Sequence, residues 1–220
     1  MSYVDYFPVY LDLKGRHVLI VGGGAIAMEK LHSLLPTGAK ITVTSPNVTP
    51  EIRAWADAGA LVWAERTFQP SDVDSAFMVV AATDDPELNA KVFHLGNQAL
   101  KLTNSVDDPA NCNFIMSANV RSGPMQVAVS SAGCSPALAQ RIRNRIQAEL
   151  LTPEVGDLAD FLGSWRPEVK RLLPSYKLRQ RFWESVLDAG IETVLTEQGP
   201  DGAETWMHSR LNAAVREWAA

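Results

Sequence analysis

Apolar runs of strand length alternate with amphipathic segments along the first hundred residues of the chain. The runs are rich in Val, Ile and Thr, and the segments between them repeat apolar residues at helical spacing, as at Ala27, Leu31 and Leu34. Strands are predicted at residues 17–21, 39–45, 61–64, 76–82 and 102–106. Because strand and helix alternate throughout, the pattern predicts a Rossmann-like, doubly wound α/β domain with a parallel sheet over residues 1–113.

The pattern changes at both ends of this region. A mixed aromatic and aliphatic leader at residues 3–14, beginning with Tyr3, is predicted to run extended and to pack along the sheet edge. After about residue 112, strands are predicted at 113–116 and 125–130, a turn at 121–124 and a helix at 137–150. Farther on, Leu178, Phe182 and Val186 form an apolar stripe at helical spacing. The chain is therefore predicted to continue as a small mixed segment, 114–150, and a helical C-terminal domain, 151–220.

A glycine-rich turn follows the first predicted strand directly. Gly22, Gly24 and Ala27 have the G-x-G-x-x-[G/A] spacing of a dinucleotide-binding turn, and Gly23 lies between the two glycines. Gly22 permits a sharp turn, Gly24 lets a pyrophosphate approach the backbone, and Ala27 lets the next helix pack closely. The amides and the dipole at the N-terminus of that helix favour phosphate. The turn is predicted to bind a dinucleotide, with a purely structural glycine turn as the alternative.

The end of the second predicted strand leaves the type of nucleotide open. Residues 44–47 (Thr-Ser-Pro-Asn) occupy the place where an NAD-binding domain usually carries an acid for the ribose hydroxyls. They contain neither that acid nor an arginine for a 2′-phosphate, so this position does not distinguish NAD from NADP. Asn47 either hydrogen-bonds the ribose or serves as a turn residue.

Polar residues also follow the two later strands. Thr83 and Asp84 come directly after the most apolar run and are predicted to bind the cofactor, and Asp107 and Asp108 follow the fifth predicted strand. The carboxyl ends of parallel strands meet at one edge of the sheet, where open α/β folds bind their ligands. An aspartate before proline is often only a turn former. Convergence with the nucleotide turn nevertheless favours a catalytic carboxylate at this edge.

A second candidate site lies in the loop before the helix predicted at 137–150. Ser130, Ser131 and Ser135 belong to a serine- and glycine-containing loop at a helix N-terminus, which suits an anion, and Arg141 follows in the helix. Farther along, a cluster of basic residues is opposed only by Glu168. Its members are Arg166, Lys170, Arg171, Lys177, Arg179 and Arg181. This cluster either receives a polyanionic small molecule or is an ordinary solvated helix face.

Composition narrows the classes of partner. The 220 residues carry a formal net charge of −5 and 46% hydrophobic residues, which indicates a globular acidic protein and argues against nucleic acid as a general partner. No apolar run approaches the roughly 18 residues of a membrane span, and no signal peptide is expected. Cys112 and Cys134 form no CxxC motif, and no Cys/His cluster predicts a resident metal ion. We therefore expect a cytoplasmic protein with reduced thiols.

Several motifs occur in a fixed order along residues 3–190. They are Tyr6-Phe7-Pro8-Val9-Tyr10, Val21-Gly22-Gly23-Gly24 with Ala27 and Lys30, Ala81-Ala82-Thr83-Asp84-Asp85 with Asn89, Asn104-Ser105-Val106-Asp107, Asn113-Phe114-Ile115-Met116, residues 127–133 (VAVSSAG) with Ser135-Pro136, and residues 179–184 (RQRFWE). In this order and spacing they resemble the precorrin-2 dehydrogenase/sirohydrochlorin ferrochelatase family, the N-terminal portion of siroheme synthase. The methyltransferase domain of the trifunctional enzyme has no counterpart here, so that activity is not expected.

The resemblance implies an NAD-dependent oxidation of precorrin-2 to sirohydrochlorin, often followed by insertion of Fe²⁺ to give siroheme. It also implies a homodimer, with dimerisation elements in segment 114–150. The family's NAD contacts fall on Ala25-Ile26 and Pro46-Asn47, and its key carboxylate falls on Asp107, which could also accept the pyrrole protons during chelation. Precorrin-2 is rich in carboxylates, and we expect the Ser130-Ser131 loop and the arginines after it to hold them.

Two other functions compete with this enzyme. A regulatory NAD-sensing module uses the same turn without chemistry, but it does not need the motifs at 104–107 and 130–136 together, and it commonly carries an acid after the second strand. A tetrapyrrole chelatase or carrier that uses no NAD is disfavoured by the intact glycine turn. The sequence therefore favours the dehydrogenase, with chelation as a second expected activity.

Overall fold

The computed structural model of the protein describes residues 4–218 and divides into two compact units. The first unit is the chain up to Met116 together with Ala132–Cys134, and the second is Ser117–Ser131 together with the chain from Ser135 onward. The three-part division predicted at residues 113 and 150 stays a prediction. Tyr3 of the predicted leader, and residues 1–3 and 219–220 of the predicted domains, lie outside the described residues. Within residues 4–218, no helix has the length and apolarity needed to cross a membrane.

A parallel sheet forms the centre of the first unit. Its strands are β1 (His17–Val21), β2 (Lys40–Thr44), β3 (Val62–Ala64), β4 (Met78–Ala81) and β5 (Leu102–Ser105). They pair in the order β3-β2-β1-β4-β5, which confirms the predicted doubly wound architecture. In the row nearest the carboxyl ends, Val21 pairs with Thr44 and Ala81, and Ala81 pairs with Ser105. The order reverses between β1 and β4, so a ligand crevice is expected outside the ends of these two strands.

Helices cover both faces of this sheet. They are α1 (Ala25–Leu34), α2 (Pro50–Asp57) and α3 (Pro86–Gln98). Val18 and Ile20 are buried in one apolar cluster with residues of α1 and α2, whereas Leu19 and Val21 are buried in another with Val92 of α3. Alternate residues of β1 thus serve opposite faces, as a strand buried on both sides requires.

The strand predicted at residues 113–116 is wrong. The chain there runs beside β5 but is joined to it only by separate hydrogen bonds. Asn104 Nδ2 donates to the Phe114 carbonyl oxygen at 3.0 Å. The Asn113 amide donates to the Thr103 carbonyl oxygen at 3.0 Å. An isolated bridge joins Asn104 to Cys112. Asparagine side chains replace a continuing ladder, which a pattern of apolar residues cannot reveal.

The predicted packing of the leader is also wrong for its described part. Phe7 is 85% exposed and Tyr10 is 68% exposed, and Leu13 is the buried residue among positions 4–14. Pro8 has no amide hydrogen to donate to a neighbouring strand. The apolar content of this segment therefore does not mark a place in the core of the first unit.

The second unit combines a hairpin with helices. Its elements are β6 (Ala118–Ser122), β7 (Met125–Val129), α4 (Pro136–Glu149), α5 (Pro153–Leu172), α6 (Tyr176–Asp188) and α7 (Ile191–Trp218), the last interrupted at Gly199. The turn is shorter than the predicted 121–124, because Arg121 and Ser122 pair with β7 and Gly123 takes a φ of 51°. Phe182 and Val186 of the predicted stripe are buried, which confirms the helical C-terminal part.

Candidate active site

Gly22 makes the turn after β1 possible. Its φ is 117°, a conformation that side-chain-bearing residues rarely adopt. A Cβ at this position would overlap the Ala82 carbonyl oxygen and lie 3.2 Å from the Thr83 amide nitrogen. The Gly22 amide also donates to the Thr44 carbonyl oxygen at 3.0 Å. Gly22 therefore holds the ends of β2 and β4 close to the turn.

The next two glycines have different surroundings. Gly23 is buried, and a Cβ there would lie 2.7 Å from Val48 Cγ1 and 3.0 Å from Ser45 Oγ. Gly24 is exposed, and a Cβ there would meet no atom of the described chain within 4 Å. Gly23 is thus needed for packing against the segment after β2, whereas Gly24 leaves its backbone open to another molecule.

The N-terminus of α1 extends this open surface. Ala25 and Ile26 are exposed at its first positions, and Gly24 is the N-cap residue. Within residues 4–218 no side chain caps this end, and the first helical turn holds no acidic residue. Helix amides without intrahelical partners bind anions, particularly phosphates. Backbone donors beside an open glycine suit a diphosphate, so these residues fit the predicted dinucleotide.

The segment after β2 turns back towards the glycines. Ser45 Oγ donates to the Asn47 carbonyl oxygen at 2.7 Å, and Trp63 Nε1 donates to the Ser45 carbonyl oxygen at 2.9 Å. Pro46 and Asn47 are both exposed. The backbone of Asn47 closes this turn, while its side-chain amide makes no hydrogen bond within residues 4–218. The predicted cofactor contacts at Pro46 and Asn47 therefore lie beside the glycine turn.

Thr83 belongs to a hydrogen-bonded turn that begins α3. Its hydroxyl donates to Asn89 Oδ1 at 2.7 Å, and Asn89 Nδ2 donates to the Thr83 carbonyl oxygen at 2.9 Å. Asp85 Oδ1 accepts from the Leu88 amide at 3.1 Å and caps the helix. Asp84, between them, is exposed. The Thr83 hydroxyl is occupied by structure, so of the two predicted cofactor residues Asp84 has the freer side chain.

Asp107 occupies a left-handed position at the same edge of the sheet. Its φ of 61° is uncommon for a residue with a Cβ, although Asp and Asn adopt it more readily than other such residues. The Val106 amide donates to the Ala81 carbonyl oxygen at 2.9 Å, so Asp107 follows directly after the last link between β5 and β4. Its side chain is exposed and has no hydrogen bond or ion pair within residues 4–218. An exposed, unpaired carboxylate at the ligand-binding edge of the sheet is a candidate for chemistry.

A network of short contacts fixes the turn after β5. Asn111 Nδ2 donates to Asp108 Oδ2 at 2.5 Å, the Cys112 thiol lies 3.1 Å from the Ser105 carbonyl oxygen, and Asn104 Nδ2 donates to Cys112 Sγ at 3.3 Å. Burial raises the pKa of the Cys112 thiol, and the nearby charge of Asp108 raises it further against the lowering effect of the Ser105 contact. Cys112 therefore stays a neutral thiol that holds the turn.

The serine loop precedes α4 in the second unit. Ser131 Oγ accepts from the Ser135 amide at 2.9 Å, and Ser135 Oγ accepts from the Leu138 amide at 3.3 Å. Because both hydroxyls act as acceptors, their hydrogens remain able to donate to a bound anion. Ser130 is exposed, and Arg141 is exposed in the second turn of α4. The four predicted substrate residues thus belong to one loop and the helix that follows it.

Three of the six residues of the basic cluster farther along make contacts within the helical part. Arg171 pairs with Glu168, Arg179 donates to backbone carbonyl groups after α5, and Arg181 stacks on Trp218 at 4.3 Å. These contacts favour a structural helix face over a polyanion site. No group of three or more His, Cys, Asp or Glu side chains that could hold a metal ion occurs within residues 4–218.

Two features of the first unit were not predicted. The packing role of Gly23 had a signal, since three consecutive glycines exceed the two that the motif requires. The link between Asn104 and Cys112 had no such signal, because the two residues lie eight positions apart and neither this spacing nor their types mark them as a pair. Only the folded turn brings the amide and the thiol together.

Three family models match successive parts of the chain. A model described as putative NAD(P)-binding matches residues 9–118, one described as sirohaem biosynthesis protein central matches residues 122–149, and one described as sirohaem synthase dimerisation region matches residues 154–211. The dimerisation model lies C-terminal to the segment 114–150, for which dimerisation elements were expected, and that assignment stays a prediction.

The chain is also similar to curated siroheme synthases and to a solved structure of a precorrin-2 dehydrogenase. A siroheme synthase of Mannheimia succiniciproducens is 38% identical over 208 residues, covering 94% of this chain and 44% of the relative. A siroheme synthase of Neisseria meningitidis serogroup B is 41% identical over 181 residues, covering 82% of this chain and 37% of the relative. The chain thus spans less than half the length of these relatives. A structure named SirC, precorrin-2 dehydrogenase, is 28% identical with a TM-score of 0.77, covering 93% of this chain and all of that one.

Proposed function

The chain belongs to the precorrin-2 dehydrogenase/sirohydrochlorin ferrochelatase family, the N-terminal portion of siroheme synthase, and on that premise we propose that it oxidises precorrin-2 to sirohydrochlorin with NAD. The observation that carries the proposal is the exposed, unpaired carboxylate of Asp107 on the same sheet edge as an open glycine turn.

The residues of the turn bind the cofactor by backbone contact in this proposal. The exposed surface at Gly24, Ala25 and Ile26 takes the diphosphate, and Pro46 and Asn47 lie where the adenosine ribose is expected. Gly22 and Gly23 keep the turn in shape for this contact. When bound, NAD supplies the hydride acceptor. The protein holds the nicotinamide ring and the substrate in the relative orientation that hydride transfer requires.

Asp107 handles the proton in this proposal. Oxidation removes a hydride and a proton from the substrate, and a carboxylate oxygen of Asp107 accepts the proton as a general base or orients the carbon that loses it. No side chain within residues 4–218 competes for that carboxylate. The turn fixed by Asn104 and Cys112 limits how far it can move.

We also propose that sirohydrochlorin and Fe²⁺ are substrates of a second reaction at the same carboxylate. Insertion of the metal releases two pyrrole N–H protons; Asp107 accepts the first, passes it to water and then accepts the second. The carboxylate groups of the tetrapyrrole are held by hydroxyl donors of Ser130, Ser131 and Ser135 and by Arg141. For Ser131 and Ser135 the assignment rests on hydroxyl groups that accept from backbone amides and keep their hydrogens for donation.

The assembly and the compartment complete the proposal. A homodimer is supported by the match of residues 154–211 to a sirohaem synthase dimerisation region. Cys112 and Cys134 are both free, and free thiols persist in the reducing cytoplasm, where we place the reaction.

The activity is tested by mixing the purified protein with precorrin-2 and NAD and following NADH absorbance together with the sirohydrochlorin spectrum. We expect equal amounts of both products. A folded protein that binds NAD but forms neither product would refute the dehydrogenase and favour the nucleotide-sensing module. Addition of Fe²⁺ or Co²⁺ to sirohydrochlorin tests chelation separately, with the metal added to buffer alone as the control.

A further inference from the structure

The end of β2 has an unusual chemistry for a site that selects NAD. Selection commonly uses an acid that bonds the ribose 2′-hydroxyl and repels a 2′-phosphate. Ser45, Pro46 and Asn47 provide no such charge. The segment nevertheless packs closely against the glycine turn. Ser45 Oγ lies only 3.0 Å from the point where a Cβ on Gly23 would be. Nothing in this segment opposes a phosphate.

An arginine of the helix that follows this segment, α2, is held near it by an aromatic ring. Trp63 of β3 donates its Nε1 hydrogen to the Ser45 carbonyl oxygen at 2.9 Å, which fixes the indole next to the first residue after β2. The guanidinium of Arg53 from α2 lies over the same ring, 4.4 Å from its centroid. Stacking of this kind orders the guanidinium while leaving its N–H groups free to donate.

The charge of Arg53 is not used elsewhere in the described chain. Arg53 is exposed and forms no ion pair within residues 4–218. The other charged residue in the first turn of α2, Glu51, lies 3.2 Å from His32 Nε2 instead. An ordered arginine without a carboxylate partner is suited to a phosphate, which it can bind with two parallel hydrogen bonds.

We propose that Arg53, ordered on Trp63 beside Ser45, binds the 2′-phosphate of NADP, so that the nucleotide site accepts NADP as well as NAD. The inference rests on the proposed function only in placing the adenosine ribose at the end of β2. It concerns the choice of nucleotide and requires no knowledge of the tetrapyrrole.

The test measures binding of adenosine nucleotides without the second substrate. Dissociation constants for NAD, NADP, 5′-AMP and adenosine 2′,5′-bisphosphate are determined by calorimetry. The last two probes differ only in the 2′-phosphate. We expect the bisphosphate to bind at least about tenfold more tightly than 5′-AMP, as a charge-assisted hydrogen bond allows. We expect Arg53→Ala to reduce this preference to within about twofold while leaving the affinity for NAD unchanged, and Arg53→Lys to keep part of it.

Arg16→Ala is the matched control. The guanidinium of Arg16 also stacks on an aromatic ring, 5.4 Å from the centroid of Phe77. Arg16 precedes β1, however, and therefore lies at the amino ends of the strands, away from the nucleotide turn at their carboxyl ends. Its removal should change none of the four constants. Equal binding of 5′-AMP and the bisphosphate, or an undiminished preference in a folded Arg53→Ala protein, would overturn this inference alone. Failure of NAD and 5′-AMP to bind at all would overturn the nucleotide site itself, and the proposed function with it.

Discussion

Substitution of single glycines in the turn after β1 separates cofactor binding from folding. Gly24 has a φ of −85° and a ψ of −169°, which alanine adopts without strain, and a Cβ there meets no atom of the described chain within 4 Å. Gly22 has a φ of 117°, and a Cβ there would lie 2.7 Å from the Ala82 carbonyl carbon. The two alanine variants should therefore fail in different ways.

The expected free energies follow from these geometries. In Gly24→Ala, alanine is a poorer N-cap than glycine by about 0.5–1 kcal/mol, and the lower entropy of the unfolded chain returns about 0.4–1 kcal/mol. The free energy of unfolding should thus stay within about 0.5 kcal/mol of the wild-type value. Because the new methyl group occupies the space proposed for the diphosphate, NAD should bind at least tenfold more weakly, a loss of about 1.4 kcal/mol. Gly22→Ala should lose about 3 kcal/mol of stability through strain and overlap.

Urea unfolding and calorimetric titration with NAD measure the two effects on the same proteins. Gly163→Ala is the control, since a Cβ at this exposed position in α5 also meets nothing within 4 Å. It should leave the affinity for NAD unchanged. If Gly24→Ala binds NAD as the wild type does, the diphosphate does not approach this glycine and the reasoning from the open backbone is refuted.

Two further predictions concern the serine loop and a surface ion pair. Ser131→Ala should raise the KM for precorrin-2 about fivefold, the effect of one lost hydrogen bond, with little change in kcat, and an unchanged KM in steady-state kinetics would remove the loop from the substrate site. Arg66 donates to both carboxylate oxygens of Asp72 at 2.8 and 2.7 Å, and this contact lowers the pKa of Asp72. Because the pKa of Asp72 is lower in the folded state, the ion pair stabilises the fold at pH values above the ordinary pKa of an aspartate. This stabilisation is lost as the pH falls through the lowered pKa of the folded state. Arg66→Ala should therefore destabilise the protein in urea at pH 7 and have little effect once Asp72 is protonated in both proteins, and a difference that persists there would contradict the assignment.

Local residue types were enough to predict the architecture of the first unit. The glycine turn, the helical spacing of Ala27, Leu31 and Leu34 and the apolar run of β4 each specify their own structure over a few residues. Local residue types act in the same way at α2, where Thr49 caps the helix by accepting from the Ile52 amide at 3.3 Å. Agreement between such local signals and the order of the strands is what makes a doubly wound sheet predictable.

Contacts between distant residues were beyond a pattern-based prediction. The turn after β5 depends on Asn104 and Cys112, whose side chains meet only when the chain has folded back. Its consequence, a left-handed Asp107, has no marker in the sequence. In the same way, Arg53, six residues after Asn47, reaches the end of β2 through the ring of Trp63. The contact between this guanidinium and the indole forms only in the folded chain and has no marker in the spacing of the two residues.

The most direct test of the account is the rate of NADH formation from precorrin-2 by Asp107→Asn. Asparagine keeps the size of the side chain and is tolerated in the left-handed conformation, so the fold and the dissociation constant for NAD should match the wild type. It cannot accept the proton, and general-base catalysis accounts for about 10²–10⁴-fold of a rate. The account predicts a fall of at least about 100-fold in kcat with NAD binding intact. A rate near that of the wild type would contradict it and show that another group carries the chemistry.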